Sequence, residues 1–143
     1  MIKPKNQKNI SRYVKLEDYK EFDYKIPEIF LDFVIEKNFV NVTTKLKLVK
    51  RNKNAKNLIL NGVDILIKRI YIDDSFLDEK YYEKQKNHLK IKNINKDIFL
   101  LKIEGIIKPK ENLSLLGMYE SNGIITTQCE AEGFRRISFH SDR

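Results

Sequence analysis

Between Ile29 and Leu48 apolar residues recur at every second position, and this spacing constrains the fold more than any other feature of the chain. Ile29, Leu31, Phe33 and Ile35 alternate with Phe30, Asp32, Val34 and Glu36. After Glu36-Lys37-Asn38, Val40, Val42, Thr44, Leu46 and Leu48 alternate with Asn41, Thr43, Lys45 and Lys47. A period of two sends successive side chains to opposite faces of a strand. The β-branched residues suit a half-buried strand. The two runs predict an antiparallel hairpin with one wet face. Just upstream, Pro27 disfavours helix at the residue before it, so Phe22 to Pro27 reads as extended or turned chain.

The rest of the chain repeats this grammar. Leu58-Ile59-Leu60 is a short strand ending at the turn signal Asn61-Gly62. Val63 to Ile72 changes phase near Lys68-Arg69, which predicts a bulge. Asp73-Asp74-Ser75 turns, and Phe76 to Gln85 fits either a helical turn or a strand. His88 to Ile91 and Phe99 to Ile107 read as strands, Lys110 to Ser114 as a loop. Leu115 to Tyr119, the turn Ser121-Asn122-Gly123 and the strand Ile124 to Thr127 follow. About eight or more short strands, with turns every eight to twelve residues, predict an all-β antiparallel sandwich or saddle. Residues 1–10 form a basic tail and residues 11–143 one β domain. No Rossmann or P-loop glycine pattern is present.

Bulk numbers exclude several classes. The length of 143 residues suffices for one hydrophobic core. A single cysteine, Cys129, cannot staple the chain internally. No apolar run approaches the roughly 20 residues of a membrane helix, and no signal peptide is visible, so a cytoplasmic location without membrane contact is expected. The net charge of +8 allows a basic β-sandwich module for anionic ligands or nucleic acid. We prefer a compositional origin, because Lys, Ile and Asn dominate and acidic residues are mixed among the basic ones.

One stretch breaks the monotony. In Thr126-Thr127-Gln128-Cys129-Glu130-Ala131-Glu132-Gly133-Phe134-Arg135-Arg136-Ile137, Lys disappears while the only Cys, two carboxylates, a Gly and an Arg pair crowd together. Polar segments on a plain scaffold often carry function. The carboxylates suit a cation, either a metal or a substrate ammonium. Cys129 as a nucleophile would need a base, and nothing in the sequence positions His140, so a small half-buried thiol is the better reading. His88, His140 and Cys129 show no metal-ligand spacing. Tyr81, Tyr82 and Tyr119 read as core or cross-strand aromatics before a ligand platform. Glu132 suits a salt bridge to Arg135 or Arg136, and the Arg pair reads as structural.

Together with Leu116-Gly117-Met118-Tyr119-Glu120-Ser121-Asn122-Gly123, this stretch closely resembles the N-terminal domain of bacterial aminopeptidase N, a zinc metallopeptidase of the gluzincin class. Tyr19 to Tyr24, Leu60-Asn61-Gly62-Val63-Asp64-Ile65 (a hairpin in the family) and Phe99 to Ile103 with Pro109 and Asn112 extend the resemblance upstream. It implies a β saddle over a thermolysin-like catalytic domain. By position, Gln128 and Glu130 match residues lining the first substrate subsite, Glu130 being the carboxylate that holds the peptide's free α-amine. Zinc in the complete enzyme, peptides with a free N-terminus and the catalytic domain of the same polypeptide are the implied cofactor and partners. The sequence contains no H-E-x-x-H and no Gly-x-Met-Glu-Asn, and His140-Ser141 departs from the family's aromatic-Leu. This chain alone is therefore expected neither to bind the catalytic zinc nor to cleave peptides.

Overall fold

The computed structural model describes residues 15–142; the expectation of a basic tail over residues 1–10 lies outside them. Ten strands form three antiparallel sheets, and the helical segments among the described residues are 3₁₀ turns of three or four residues. The chain is all-β, as its alternation predicts. No described helix is long and apolar enough to cross a membrane.

The large sheet grows from the two most regular alternations. β1 (Tyr24–Ile35) pairs with β2 (Val40–Lys50), and β2 pairs along its length with β8 (Ile98–Ile107). Their inward rows are Val40, Val42, Leu46 and Leu48, then Phe99, Leu101, Ile103 and Ile107, all buried. Fully burying each such side chain contributes about 1.5–3 kcal/mol. Thr44 is the one polar member of β2's inner row. Its hydroxyl lies 2.8 Å from the buried Ser138 Oγ, which satisfies both groups. Tyr24 also turns inward; burial pushes its phenol up to about 12, and its hydroxyl donates to the Asn57 carbonyl.

β4 (Leu66–Ile72) joins the other side of β8, with a register shift between Ile67 and Arg69, the bulge expected at Lys68-Arg69. A two-residue β5 (Ser75–Phe76) ends the sheet, so the order is β1-β2-β8-β4-β5. Asp73 and Asp74, both with positive φ, make the β4–β5 turn.

Over the inner face lies a three-stranded sheet in the order β3 (Leu58–Asn61), β7 (His88–Ile91), β6 (Tyr82–Lys84). Leu58, Leu60, Leu89 and Ile91 point from it into the core. The hairpin implied for Leu60 to Ile65 does not form. β3 pairs with β7 and β4 with β8, so the Asn61-Gly62 turn sends the chain from one sheet to the other. Phe76 to Gln85 takes both of its alternatives, a 3₁₀ turn at Glu79–Tyr81 followed by β6. Last comes the hairpin of β9 (Gly117–Ser121) and β10 (Ile124–Gln128), closed by Asn122 and Gly123 at φ 50° and 79°.

Candidate functional site

β10 ends at Gln128, and the chain doubles back through residues 129–132 into the 3₁₀ turn Gly133–Arg136. Two glycines permit this. A Cβ on Gly133 would sit 2.3 Å from the Gln128 carbonyl oxygen, so only hydrogen fits where the backbone recrosses itself. Gly117, at φ +78°, brings β9 against the same turn, and a Cβ there would meet the Arg136 Cβ at 2.6 Å. The Gly133 N–H donates to the Cys129 carbonyl at 2.8 Å. The Glu130–Ala131 peptide bond is cis, and Glu132 lies in the left-handed region at φ 68°.

The far end of the turn is anchored through its Arg pair. Arg135 pairs with Asp142 at 2.5 Å and Glu132 at 3.2 Å, while Arg136 pairs with Asp64. The Val63 N–H donates to the Arg135 carbonyl at 2.9 Å, and Asn61 and His140 exchange backbone hydrogen bonds of 2.7 and 3.0 Å. Beside that bridge the Phe139 ring occupies the place of the Cβ that Gly62 lacks. Residues 61–64 and 133–137, both parts of the resemblance, thus form one docked unit together with residues 138–142. Asp64, Asn61 and Gly117 are its supports, and local pattern reading did not identify them, because each acts on a residue far away in sequence.

The turn separates the two carboxylates. Glu132 is exposed and engaged with Arg135. Glu130 is exposed, and among the described residues no cation pairs with its carboxylate. The Gln128 side chain folds over the turn, its Nε2 donating to the Glu130 carbonyl at 3.3 Å. Gln128 is thus the last residue of β10 and Glu130 lies in the turn that follows, with the Gln128 amide reaching over the Glu130 backbone.

Neighbouring groups serve the frame. Cys129 is a free thiol packed against the core. The His140 ring meets Phe134 edge-on at 5.3 Å. Burial lowers the His140 pKa, against opposing contributions from Asp142 and the Ser141 backbone. Tyr82 leans on the core and its phenol is raised by burial, while Tyr81 lies under the Lys80 ammonium at 5.0 Å. Among the described residues no group of three His, Cys, Asp or Glu side chains could hold a metal ion. A cleft of about 600 Å³ beside Asp64, Lys84, Lys108 and Arg136 borders neither Gln128 nor Glu130. Its cations are largely engaged: Lys84 Nζ donates to backbone carbonyls, and Lys108 and Arg136 are ion-paired.

No protein-family model matches the chain. It is 34% identical over 127 residues to aminopeptidase N of Haemophilus influenzae, covering 89% of this chain and 15% of that protein. It is 35% identical over 126 residues to aminopeptidase N of Escherichia coli, covering 88% and 14%. Among solved structures, aminopeptidase A of Legionella pneumophila in complex with aspartic acid superposes with a TM-score of 0.79 at 30% identity, over 89% of this chain and 15% of that one. Native yeast LTA4 hydrolase shares the fold, with a TM-score of 0.68 at 20% identity over 84% and 21%. An M1 zinc metallopeptidase from Deinococcus radiodurans does so at 0.67 and 10% identity over 85% and 30%. The chain spans about one seventh of the length of the curated relatives it matches.

Proposed function

From the chain's match to the N-terminal region of M1 aminopeptidases, we propose that residues 11–143 are the substrate-recognition domain of a zinc aminopeptidase acting on peptides with a free N-terminus. Glu130 pairs with the substrate's α-ammonium, and Gln128 lines the same subsite. The observation that carries this reading is the turn at 128–132: one carboxylate is spent on Arg135, while Glu130 has no cation partner among the described residues.

The chemistry suits the role. A peptide α-amine has a pKa near 7.7–8.0 and is largely protonated at neutral pH. Charge-assisted hydrogen bonds to a carboxylate are among the strongest available. An exposed ion pair contributes less than about 1 kcal/mol, so Glu130 as presented here is a weak anchor by itself. It becomes selective when a second wall excludes water, since a blocked N-terminus then leaves a buried carboxylate unpaired. That wall is the catalytic domain of the same polypeptide, in the cytoplasm. Zinc belongs to that domain: it does not fit the described residues, and no step of this reading passes through it on this chain. The chain alone hydrolyses nothing.

The test is an aminoacyl reporter hydrolysed by the complete polypeptide. Glu130→Ala lowers kcat/KM about a hundredfold, equivalent to roughly 2.7 kcal/mol of lost pairing. An unchanged kcat/KM sinks the anchor role. Salt-sensitive oligonucleotide binding by the chain would favour the basic-module alternative instead.

A further inference from the structure

The chain contains two Asn-Gly pairs, Asn61-Gly62 and Asn122-Gly123, and the fold treats them differently. An asparagine followed by glycine is chemically labile, because no side chain shields the glycine nitrogen from the asparagine Cγ. That nitrogen must lose its proton and reach Cγ. A hydrogen bond on its N–H, or packing around it, holds the reaction back. Asn61-Gly62 is held at several points. The Gly62 N–H donates to the Asn87 carbonyl at 3.0 Å, and Asn61 exchanges backbone bonds with His140. The Asn61 Oδ1 accepts from the Asp142 N–H at 3.4 Å, and the Gly62 carbonyl accepts from Lys84 Nζ at 3.1 Å. Gly62 is buried, with the Phe139 ring against its Cα.

Asn122-Gly123, at the tip of the β9–β10 hairpin, has none of these restraints. Both residues are exposed. Among the described residues, neither the Asn122 side chain nor the Gly123 N–H has a hydrogen-bond partner. Nothing lies within 4 Å of the position a Gly123 Cβ would take. The tip is closed by the Ser121–Ile124 rung beside it, so the rearrangement that brings the Gly123 nitrogen to Cγ needs only local opening.

We propose that Asn122 is a site of spontaneous deamidation, whose products are aspartate and isoaspartate at the hairpin tip. The Gly123 nitrogen gives its proton to solvent hydroxide and bonds to the Asn122 Cγ. The Cγ–Nδ2 bond breaks, and that nitrogen leaves as ammonia. Water then opens the cyclic imide at one of its two carbonyls, so one water is consumed, one ammonia is released and nothing is oxidised or reduced. Opening at Cγ restores the ordinary main chain and leaves aspartate. Opening at the backbone carbonyl routes the main chain through Cβ and Cγ and leaves isoaspartate. The consequences differ. Aspartate tolerates a left-handed turn, as Asp64, Asp73 and Asp74 do in this fold. The lengthened isoaspartyl chain no longer matches the two-residue loop that the hairpin requires. That loop sets a register running from Ile124 opposite Ser121 to Gln128 opposite Gly117. Isoaspartate at 122 therefore loosens the ladder that leads into the Gln128–Arg136 turn.

The test is incubation of the 143-residue chain in mildly alkaline buffer, folded and in urea, followed by tryptic mass spectrometry. Peptides 57–68 and 111–135 report the two pairs separately, and fragment masses place the change on Asn61 or Asn122. In the folded chain Asn122 should convert at least about tenfold faster than Asn61. In urea, where both pairs are released, the two rates should converge. Equal rates in the folded chain overturn the proposal. So does an Asn122 that converts only in urea or in neither state, or an Asn61 that converts faster. Hydrogen exchange on the separated products tests the consequence. The β9–β10 amides should exchange at least about tenfold faster in the isoaspartyl chain, while Asn122→Asp keeps the protection of the parent. An isoaspartyl chain as protected as the parent overturns the effect on the ladder.

Discussion

The β2–β8 ladder and the turn from Gln128 to Arg136 are held by different physics. The ladder rests on buried side chains: Leu46, Leu48, Leu101 and Ile103 are dry, and ten residue pairs are in register. The turn rests on backbone crowding at Gly117 and Gly133 and on ion pairs to Asp64 and Asp142. The contrast teaches that the frame and the site can be perturbed separately. The ladder should lose stability when cut. The turn should lose geometry, and with it function, at a smaller thermodynamic cost.

The most damaging test of the frame is Leu46→Ala. A fully buried leucine in a paired central strand should cost about 2–5 kcal/mol in denaturant unfolding; a loss under about 1 kcal/mol would mean the ladder is not the frame. Next is Gly133→Ala, where the new Cβ must push away the Gln128 carbonyl. An overpacking cost of about 1–3 kcal/mol is expected, with a larger drop in peptidase efficiency than in stability. If both fell in proportion, the separation would fail. Asp64→Asn keeps a residue that tolerates positive φ and removes the Arg136 pair. Because Asp64 is 76% exposed, less than about 1 kcal/mol should be lost. Glu130→Ala, expected to lower kcat/KM, should leave the unfolding midpoint within about 0.5 kcal/mol of the parent. The mildest test is acidification. Burial holds His140 below the usual 6.5, so the unfolded chain binds this proton more readily. Stability from this residue is therefore present above that value and falls as pH drops from about 6.5 towards the lowered pKa. His140→Gln should flatten this part of the urea-midpoint profile between pH 7.5 and 5.

Much of the frame was legible. Alternation through 40–48 and 99–107 marks strands because one face is buried there, and Asn122-Gly123 is a hairpin closure wherever it occurs between strands. The phase slip at Lys68-Arg69 is a bulge, since the β4–β8 register shifts between Ile67 and Arg69, next to Gly105, where a Cβ would meet the Leu66 carbonyl at 3.0 Å. Asn61-Gly62 marked the end of a strand correctly, but the hairpin that the resemblance implied there does not form, because a turn signal says that the chain bends and not which strand it meets next. The inner row of β1 misled similarly: alternation shows which residues share a face, and burial depends on what is laid over it. At the site, Gln128 and Glu130 were singled out by the resemblance, and the Glu132–Arg135 pair is one of the two salt bridges expected for Glu132. The docking of the turn onto Asn61, Gly62 and Asp64 was not legible, since those partners lie some seventy residues away.

That docking has a consequence for the order of assembly. Asn61 must wait for His140 before its backbone pairing can close, and Thr44 must wait for Ser138. Such distant contacts pay their loop-closure entropy before any reward arrives, which places them late in folding. On the ribosome, the β1–β2 hairpin can pair while the second half of the chain is still being made. The turn bearing Gln128 and Glu130 gains its Asn61 anchor only once His140 has emerged. The fastening of the Gln128–Glu130 turn is therefore a late step, and a chain cut off before His140 keeps its β1–β2 hairpin but leaves that turn without its Asn61 anchor.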